Sequence, residues 1–274
     1  MKYDLHCHST FSDGDLNPDA LLALAAERDI THLALTDHDT VSGLDEAAQA
    51  AAKHGITLVK GIELSCEWNG QLLHMLGLGI DDTSDQLLEG VATNRRLRIE
   101  RAESMFIDFE RHDIDLRDSV TQQVGERGVP TRPHFAQALI DQGIVKDKNQ
   151  AFRHYLVRGK VGFVPMQWPE VSDVIGWISA AKGLAVLAHP MRYKFTRSKL
   201  IRLIEAMIPA GVRGLEVSTP ITRPSEIDML GQLTKQFGLL ASMGSDFHSQ
   251  QQPWAKLGGA TELKDDLTPV WSEF

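Results

Sequence analysis

Cys7 and Cys66 are the only two thiols in the 274 residues. Neither belongs to a CxxC pair, so a thiolate zinc cluster is excluded and a structural disulfide is not expected. Long apolar runs are missing as well: none approaches the roughly 18 residues of a membrane span. Positive charge is scarce, with 28 Lys and Arg against 37 Asp and Glu and a net charge of −9. That balance argues against a broad basic face for duplex DNA. It still admits a small phosphorylated ligand, because bound cations and a few arginines reverse the sign locally. Met1-Lys2-Tyr3-Asp4-Leu5 leads at once into a motif and leaves no room for a signal peptide, so the expected location is cytoplasmic. No feature of the sequence fixes an oligomeric state.

What is present is an alternation of strand and helix. Residues 2–8, 32–36, 57–63 and 72–78 read as strands. A helix lies between the first two, with Asn17 as N-cap, Pro18 at its first position and Leu21, Leu22 and Leu24 as its apolar stripe. Residues 42–54 form another, stopped by Gly55. After residue 170 the pattern resumes, with helices at 170–182, 197–210 and 224–237 and strands at 184–188, 214–218 and 239–243. Repeated β–α units imply a parallel sheet, closed or open. Between about 83 and 164 the strand signal vanishes. There the spacing predicts one long helix over 83–112, with Leu87, Leu88, Val91, Met105, Phe106 and Phe109 as its apolar positions. Two shorter helices follow near 132–142 and 149–157. This middle part is a helical insertion into an α/β body.

His6-Cys7-His8 puts two imidazoles on one face of an extended strand and points the cysteine away as a small buried side chain. Ser12-Asp13-Gly14 follows in a turn. Thr36-Asp37-His38-Asp39 and Gly61-Ile62-Glu63-Leu64 end the next two strands, and His74 lies on the fourth. Ala188-His189-Pro190 and Gly244-Ser245-Asp246-Phe247-His248 end later ones. In a parallel barrel such strand ends converge on one face, where active sites form. Each piece alone is weak: a lone histidine on an apolar strand is usually core, and an Asp after a strand is usually a turn former. Yet six of the eleven histidines and three carboxylates fall at matching topological positions. Histidine and carboxylate without thiolate is a ligand set for zinc, manganese or iron(II) in a hydrolytic site. Asp37 and Asp39 either orient imidazoles or shape the strand-end turns.

As a set, HxHxxxSDG from His6, TDHD from Thr36, the G-x-E ending in Glu63, AHP at His189 and GSDFH ending in His248 resemble the PHP (polymerase and histidinol phosphatase) family. The resemblance implies a distorted barrel of seven β/α units, formed by residues 1–82 and 165–274, with 83–164 as a helical lid. It implies two to three divalent metal ions. By position, one would take His6, His8, Glu63 and Asp246. A second would take Glu63, His74 and His189, and a third Asp13, His38 and His248. Asp13, Glu63, His189 and Asp246 would form the catalytic set, with a metal-bridging hydroxide attacking phosphorus.

Thr131-Arg132-Pro133-His134-Phe135, Tyr155-Leu156-Val157-Arg158-Gly159-Lys160 and Val164-Pro165 resemble a subgroup of small stand-alone phosphoesterases within that family. This implies removal of the 3′-phosphate from nucleoside 3′,5′-bisphosphates and trimming of short RNA from its 5′ end. Arg132, His134, Arg158 and Lys160 would suit a lid that holds the non-reacting phosphate, unless they simply coat a solvated surface. Arg192 is a further phosphate contact, and Tyr193 a platform for a base. The rival substrate is histidinol phosphate. The rival class is a non-catalytic metal- or nucleotide-binding module.

Overall fold

The computed structural model describes residues 1–125 and 128–274; Glu126 and Arg127, within the expected insertion, lie outside the described residues. Seven strands follow one another in chain order around a single sheet. They are β1 (Tyr3–Cys7), β2 (His32–Leu35), β3 (Thr57–Trp68), β4 (Gln71–Leu78), β5 (Leu184–Leu187), β6 (Gly214–Ser218) and β7 (Leu240–Met243). The two ends of the sheet meet just past the last strand. Cys7 bridges Phe247, the His8 N–H donates to the Phe247 carbonyl at 2.9 Å, and the Asp246 N–H donates to the His6 carbonyl at 2.7 Å. Asp4 fastens the same seam by accepting the N–H groups of Ser245 at 2.8 Å and Gly258 at 2.6 Å. The result is a nearly closed barrel.

The expectation of an all-parallel sheet is corrected in one place. β4 runs antiparallel to both β3 and β5. The cause is local: Asn69 and Gly70 both adopt positive φ, 50° and 68°, the geometry of a two-residue type I′ hairpin. β3 therefore runs on to Trp68 and returns directly as β4, with no crossover helix. The remaining pairings are parallel.

Helices α1 (Pro18–Glu27), α2 (Leu44–His54), α7 (Val171–Ala180), α8 (Arg197–Met207) and α9 (Pro224–Phe237) clothe the barrel. Asn17 caps α1 by accepting the Ala20 N–H at 2.9 Å, as its position before Pro18 suggested. The outward face of the strands packs on these helices through residues such as Leu33, Ile62, Leu64, Leu187 and Leu215. Inside the barrel a second apolar layer, including Leu5, Ala34, Val59, Leu76, Val186 and Leu240, plugs the lower half. Polar side chains are left the upper half, where the site forms.

The span between β4 and β5 holds α3 (Asp85–Glu110), α4 (Arg117–Val124), α5 (Arg132–Asp141) and α6 (Lys148–Ala151), the last continuing into a π-helical turn at Phe152–Leu156. These helices share their own apolar cluster around Phe106, Phe109, Phe135 and Leu139. α4 was not anticipated, because Val120 is its one fully buried residue and leaves no apolar period to read. Leu88, expected in the apolar stripe of α3, is exposed. The stripe instead runs through Gly90, Asn94, Arg98 and Ala102. A Cβ at Gly90 would run into the Trp177 ring of α7, so that glycine lets α3 dock on the barrel. No helix of the described residues is long and apolar enough to cross a membrane.

Candidate active site

Glu63, in the middle of β3 and fully buried, is the hub of the barrel mouth. Its Oε2 lies 3.0 Å from His38 Nδ1, 3.2 Å from His6 Nε2 and 3.2 Å from His8 Nε2. Its Oε1 lies 3.0 Å from both His74 Nδ1 and His189 Nε2. Asp246 Oδ1 is 3.1 Å from His8 Nε2 and 3.3 Å from His6 Nε2. Asp13 Oδ1 is 3.3 Å from His248 Nε2 and 3.8 Å from His38 Nε2. All nine residues singled out as metal-site candidates thus meet at one end of the barrel. His74 joins them although it is not at the end of its strand: β4 runs antiparallel, so its first half lies where the parallel strands finish.

Three positions in this region hold left-handed backbone without being glycine: Asp39 at φ 50°, His189 at φ 30° and Asp246 at φ 50°. Such conformations cost about 1–3 kcal/mol each and persist where surrounding structure enforces them. For Asp39 the enforcement is visible. Its carboxylate accepts the Ser65 N–H at 2.7 Å, Asn94 Nδ2 at 2.7 Å and Arg98 Nε at 2.5 Å. Asp37 accepts the Ser9 N–H at 2.7 Å and the Ser9 and Ser12 hydroxyls at 2.6 Å each. Of the two roles left open for these aspartates, the bonds match the turn-shaping one. Among the described residues no hydrogen bond joins either carboxylate to an imidazole. Cys7 points away from the cluster, its thiol donating to the Ala34 carbonyl at 3.2 Å.

Glu216, which the sequence reading passed over, does touch an imidazole. Its Oε1 lies 3.0 Å from His6 Nδ1, and its Oε2 accepts the His189 N–H at 2.6 Å. A signal for it was present. Gly214-Leu215-Glu216-Val217-Ser218 repeats the pattern of Gly61-Ile62-Glu63-Leu64-Ser65, a charged residue between apolar neighbours on a buried strand. Arg98, Arg101 and Asn94 were also missed, as polar interruptions of an otherwise apolar helical stripe.

The electrostatics call for a cation. Burial alone would raise the Glu63 carboxyl, but His38, His6 and His74 outweigh it and hold it well below the usual carboxylate range. Burial likewise opposes ionisation of Asp246 and is overcome by Arg192, His6 and His248. Burial works against charge on His8, yet Asp246 and Glu63 draw its pKa up to about 10. Positive charge is wanted at this point even at the cost of desolvation. Buried polar atoms are nearly always paired. Here His6 Nε2, Asp13 Oδ1, His38 Nδ1, Glu63 Oε2 and His74 Nδ1 have no hydrogen-bond partner among the described residues. Donor atoms in three sets lie within 4.8 Å of one another: His6, His8, Glu63 and Asp246; His38, Glu63 and His74; His8, Asp13, His38 and His248. Imidazole nitrogens and carboxylate oxygens gathered this closely fit divalent transition metals.

Beside the cluster opens a cavity of about 250 Å³ reached by Arg98, Arg101, Arg132 and Arg192. It continues outward into one of about 540 Å³, which Arg158, Tyr193 and Lys199 also line. Arg192 ion-pairs with Asp246 Oδ2. Of the expected substrate contacts, Arg132 and Arg192 reach both cavities and Arg158 only the outer one, while Lys160 and His134 line neither. His134 is occupied as a cap: its Nδ1 accepts the Thr131 N–H at 3.0 Å. The Tyr193 hydroxyl accepts the His74 N–H at 2.9 Å and donates to the Ala188 carbonyl at 3.0 Å, tying β4 to β5.

A seven-stranded barrel with a buried His/carboxylate cluster at its mouth and an arginine-lined cavity above it defines a hydrolase. Its relatives agree. A family model described as the PHP domain matches residues 4–123. The chain is 40% identical to a 3′,5′-nucleoside bisphosphate phosphatase of Chromobacterium violaceum, covering 98% of this chain and 95% of that one. It is 38% identical to a 5′-3′ exoribonuclease of Haemophilus influenzae, covering 100% and 99%. The solved structure of an amidohydrolase from Chromobacterium violaceum, with sulfate bound and no metal, matches with a TM-score of 0.93 and 39% identity, covering 100% of this chain and 95% of that one. The chain belongs to the PHP family. The likeness extends through the helical insertion as well as the barrel.

Proposed function

We propose that this hydrolase is a metal-dependent phosphoesterase that removes the 3′-phosphate from nucleoside 3′,5′-bisphosphates and trims short RNA from its 5′ end. One observation carries the reading: a cation-seeking cluster centred on Glu63 opens directly into a cavity crowded with guanidinium groups. Cluster and cavity together suit a substrate with one phosphate to cleave and another anionic group to hold. A histidinol phosphate reading would need carboxylates where the arginines stand.

In this proposal His6, His8, Glu63 and Asp246 hold one metal. Glu63, His74 and His189 hold a second, and Asp13, His38 and His248 a third. Manganese, zinc or iron, when bound, supplies Lewis acidity toward a phosphoryl oxygen and acidifies water. The protein's own share is positioning. Glu63 ties the ligand sets together, and Asp13 and Asp246 bring ionised oxygens to the floor of the cavity. Arg192, held by Asp246, reaches into the same space to orient a phosphate. The helices of residues 83–164 act as the lid that narrows access for water.

The test is phosphate release by the purified protein from adenosine 3′,5′-bisphosphate and from histidinol phosphate. Faster release from the bisphosphate, with adenosine 5′-phosphate as product, is expected. Preference for histidinol phosphate would overturn the substrate assignment.

Glu216 gives a second prediction. A glutamine there has one acceptor oxygen where the carboxylate serves both His6 Nδ1 and the His189 N–H. Glu216→Gln should weaken metal binding about ten- to a hundredfold, the usual cost of losing a group that orients a ligand. Activity should return at high metal concentration. Calorimetric titration with manganese measures this, and unchanged affinity would remove Glu216 from the positioning role.

A further inference from the structure

A third cavity, of about 310 Å³, opens where the loop between β6 and α9 meets the turn after β5. It shares His189 and Arg192 with the inner arginine cavity and only Arg192 with the outer one. None of its lining residues comes from the helical insertion. Arg192 therefore divides two spaces that approach the metal cluster from different sides.

The walls of this third space suit a ribonucleotide. Met191 and Leu230 supply apolar surface, and Ile221, 49% exposed, extends it toward solvent. Thr222 Oγ1 accepts the Thr219 N–H at 3.0 Å and shares a hydrogen bond with Thr219 Oγ1 at 2.8 Å. Whichever hydroxyl donates in that bond, the other keeps its own hydrogen, free to meet a ribose 2′-hydroxyl. Charge points the same way. Among the described residues neither Lys194 nor Arg223, both exposed, has an ion-pair partner. The two carboxylates of the cavity are committed elsewhere: Glu216 to His6 and His189, and Glu226 to the Arg223 N–H at 2.9 Å. In a chain of net charge −9, two unpaired cations beside the cluster favour an anionic ligand.

A nucleoside 3′,5′-bisphosphate ends at its reacting phosphate. In RNA that phosphate carries a further nucleotide, which has to leave the cluster by a route the 5′-terminal nucleotide does not fill. We infer that the cavity between residues 190–194 and the start of α9 receives this downstream nucleotide, with Lys194 and Arg223 holding the phosphate beyond it. In the cleavage it serves, water gives its hydroxyl to phosphorus and a proton to O3′ as the P–O3′ bond breaks. A nucleoside 5′-phosphate leaves, and the shortened chain keeps the reacting phosphate at its new 5′ end. The inference rests on the RNA-trimming part of the reading above and locates the path of the chain.

The experiment compares wild type, the double variant Lys194→Gln/Arg223→Gln and Ile221→Asp on two substrates, adenosine 3′,5′-bisphosphate and a 5′-phosphorylated adenosine trinucleotide. One exposed charge contact contributes little, so losing both should lower kcat/KM for the trinucleotide about tenfold, chiefly through KM. Ile221→Asp sets a negative charge on the apolar wall and should also slow the trinucleotide. The bisphosphate should be turned over by both variants as by wild type. Metal content and Tm should not change, since all three side chains are exposed. Equal loss on the two substrates, or no loss on the trinucleotide, would overturn the inference. So would a wild type that cleaves the bisphosphate and leaves the trinucleotide intact. If wild type cleaves neither, the nucleotide reading fails, and calorimetry on the metal-loaded protein decides the cavity by itself. Its probe is a trinucleotide whose reacting O3′ is replaced by methylene, compared with adenosine 5′-phosphate. Tighter binding of the trinucleotide that disappears in the double variant would uphold the site, and no such preference in wild type would overturn it.

Discussion

Glu63→Gln should leave a folded barrel that binds little metal and hydrolyses phosphoesters about a hundred- to a thousandfold more slowly, the range for removing one preorganised electrostatic group. The geometry is the reason. Five imidazole nitrogens stand between 3.0 and 3.2 Å from its two oxygens. No other carboxylate in the cluster faces so many. Glutamine keeps the shape but turns one acceptor into a donor and removes the negative charge shared by the proposed metal sites. The apolar layer below, with Leu76 and Val186, is untouched, so the circular dichroism spectrum should be that of wild type. Glu67→Gln is the control. Glu67 lies on the same strand, but its contact is to the Trp168 N–H at 3.0 Å, which a glutamine oxygen can still accept. Its metal content and rate should match wild type. Wild-type metal content in Glu63→Gln would remove Glu63 from the centre of the site.

Much of this architecture was legible in the sequence because the chemistry sits on regular strands. Alternation placed His6 and His8 on one face and Cys7 on the other. Strand-end position picked out His38, His189, Asp246 and His248; Glu63 was singled out on the same ground, although β3 runs on past it to Trp68. What the sequence hid was either non-local or carried by a pattern of a different period. The antiparallel β4 followed from Asn69-Gly70, a turn signal that was available but gave way to the assumption of repeated β–α units. Glu216 sat in a near copy of the Glu63 pentapeptide and was passed over because it ends no recognised motif. Arg98, Arg101 and Asn94 were hidden differently: on a helix, polar residues on a buried stripe look like errors in the period until the helix is seen to cross the barrel mouth. The lid residues show the opposite failing. His134 and Lys160 are suitable residue types, yet one caps α5 and the other lines neither cavity. Charge in a loop says little about direction.

Removal of the metals should have the other large effect. The cluster gathers buried nitrogen and oxygen atoms without hydrogen-bond partners. Among the described residues, the Ser65 hydroxyl at the cavity donates to Asp39 rather than to an imidazole, and both cysteines are buried with their thiols donating to carbonyls, so neither kind offers a metal-free nucleophile. A cation that binds the folded chain alone also stabilises it, by about 2.7 kcal/mol at a hundred times its Kd. Stripping should therefore lower Tm as well as rate. The most direct measurement is phosphate release from adenosine 3′,5′-bisphosphate by protein stripped with chelator, with metal content followed by elemental analysis as manganese, zinc or iron is returned. Release should vanish with the metal and recover in step with the metal bound. Undiminished release from protein that elemental analysis finds free of metal would contradict the account.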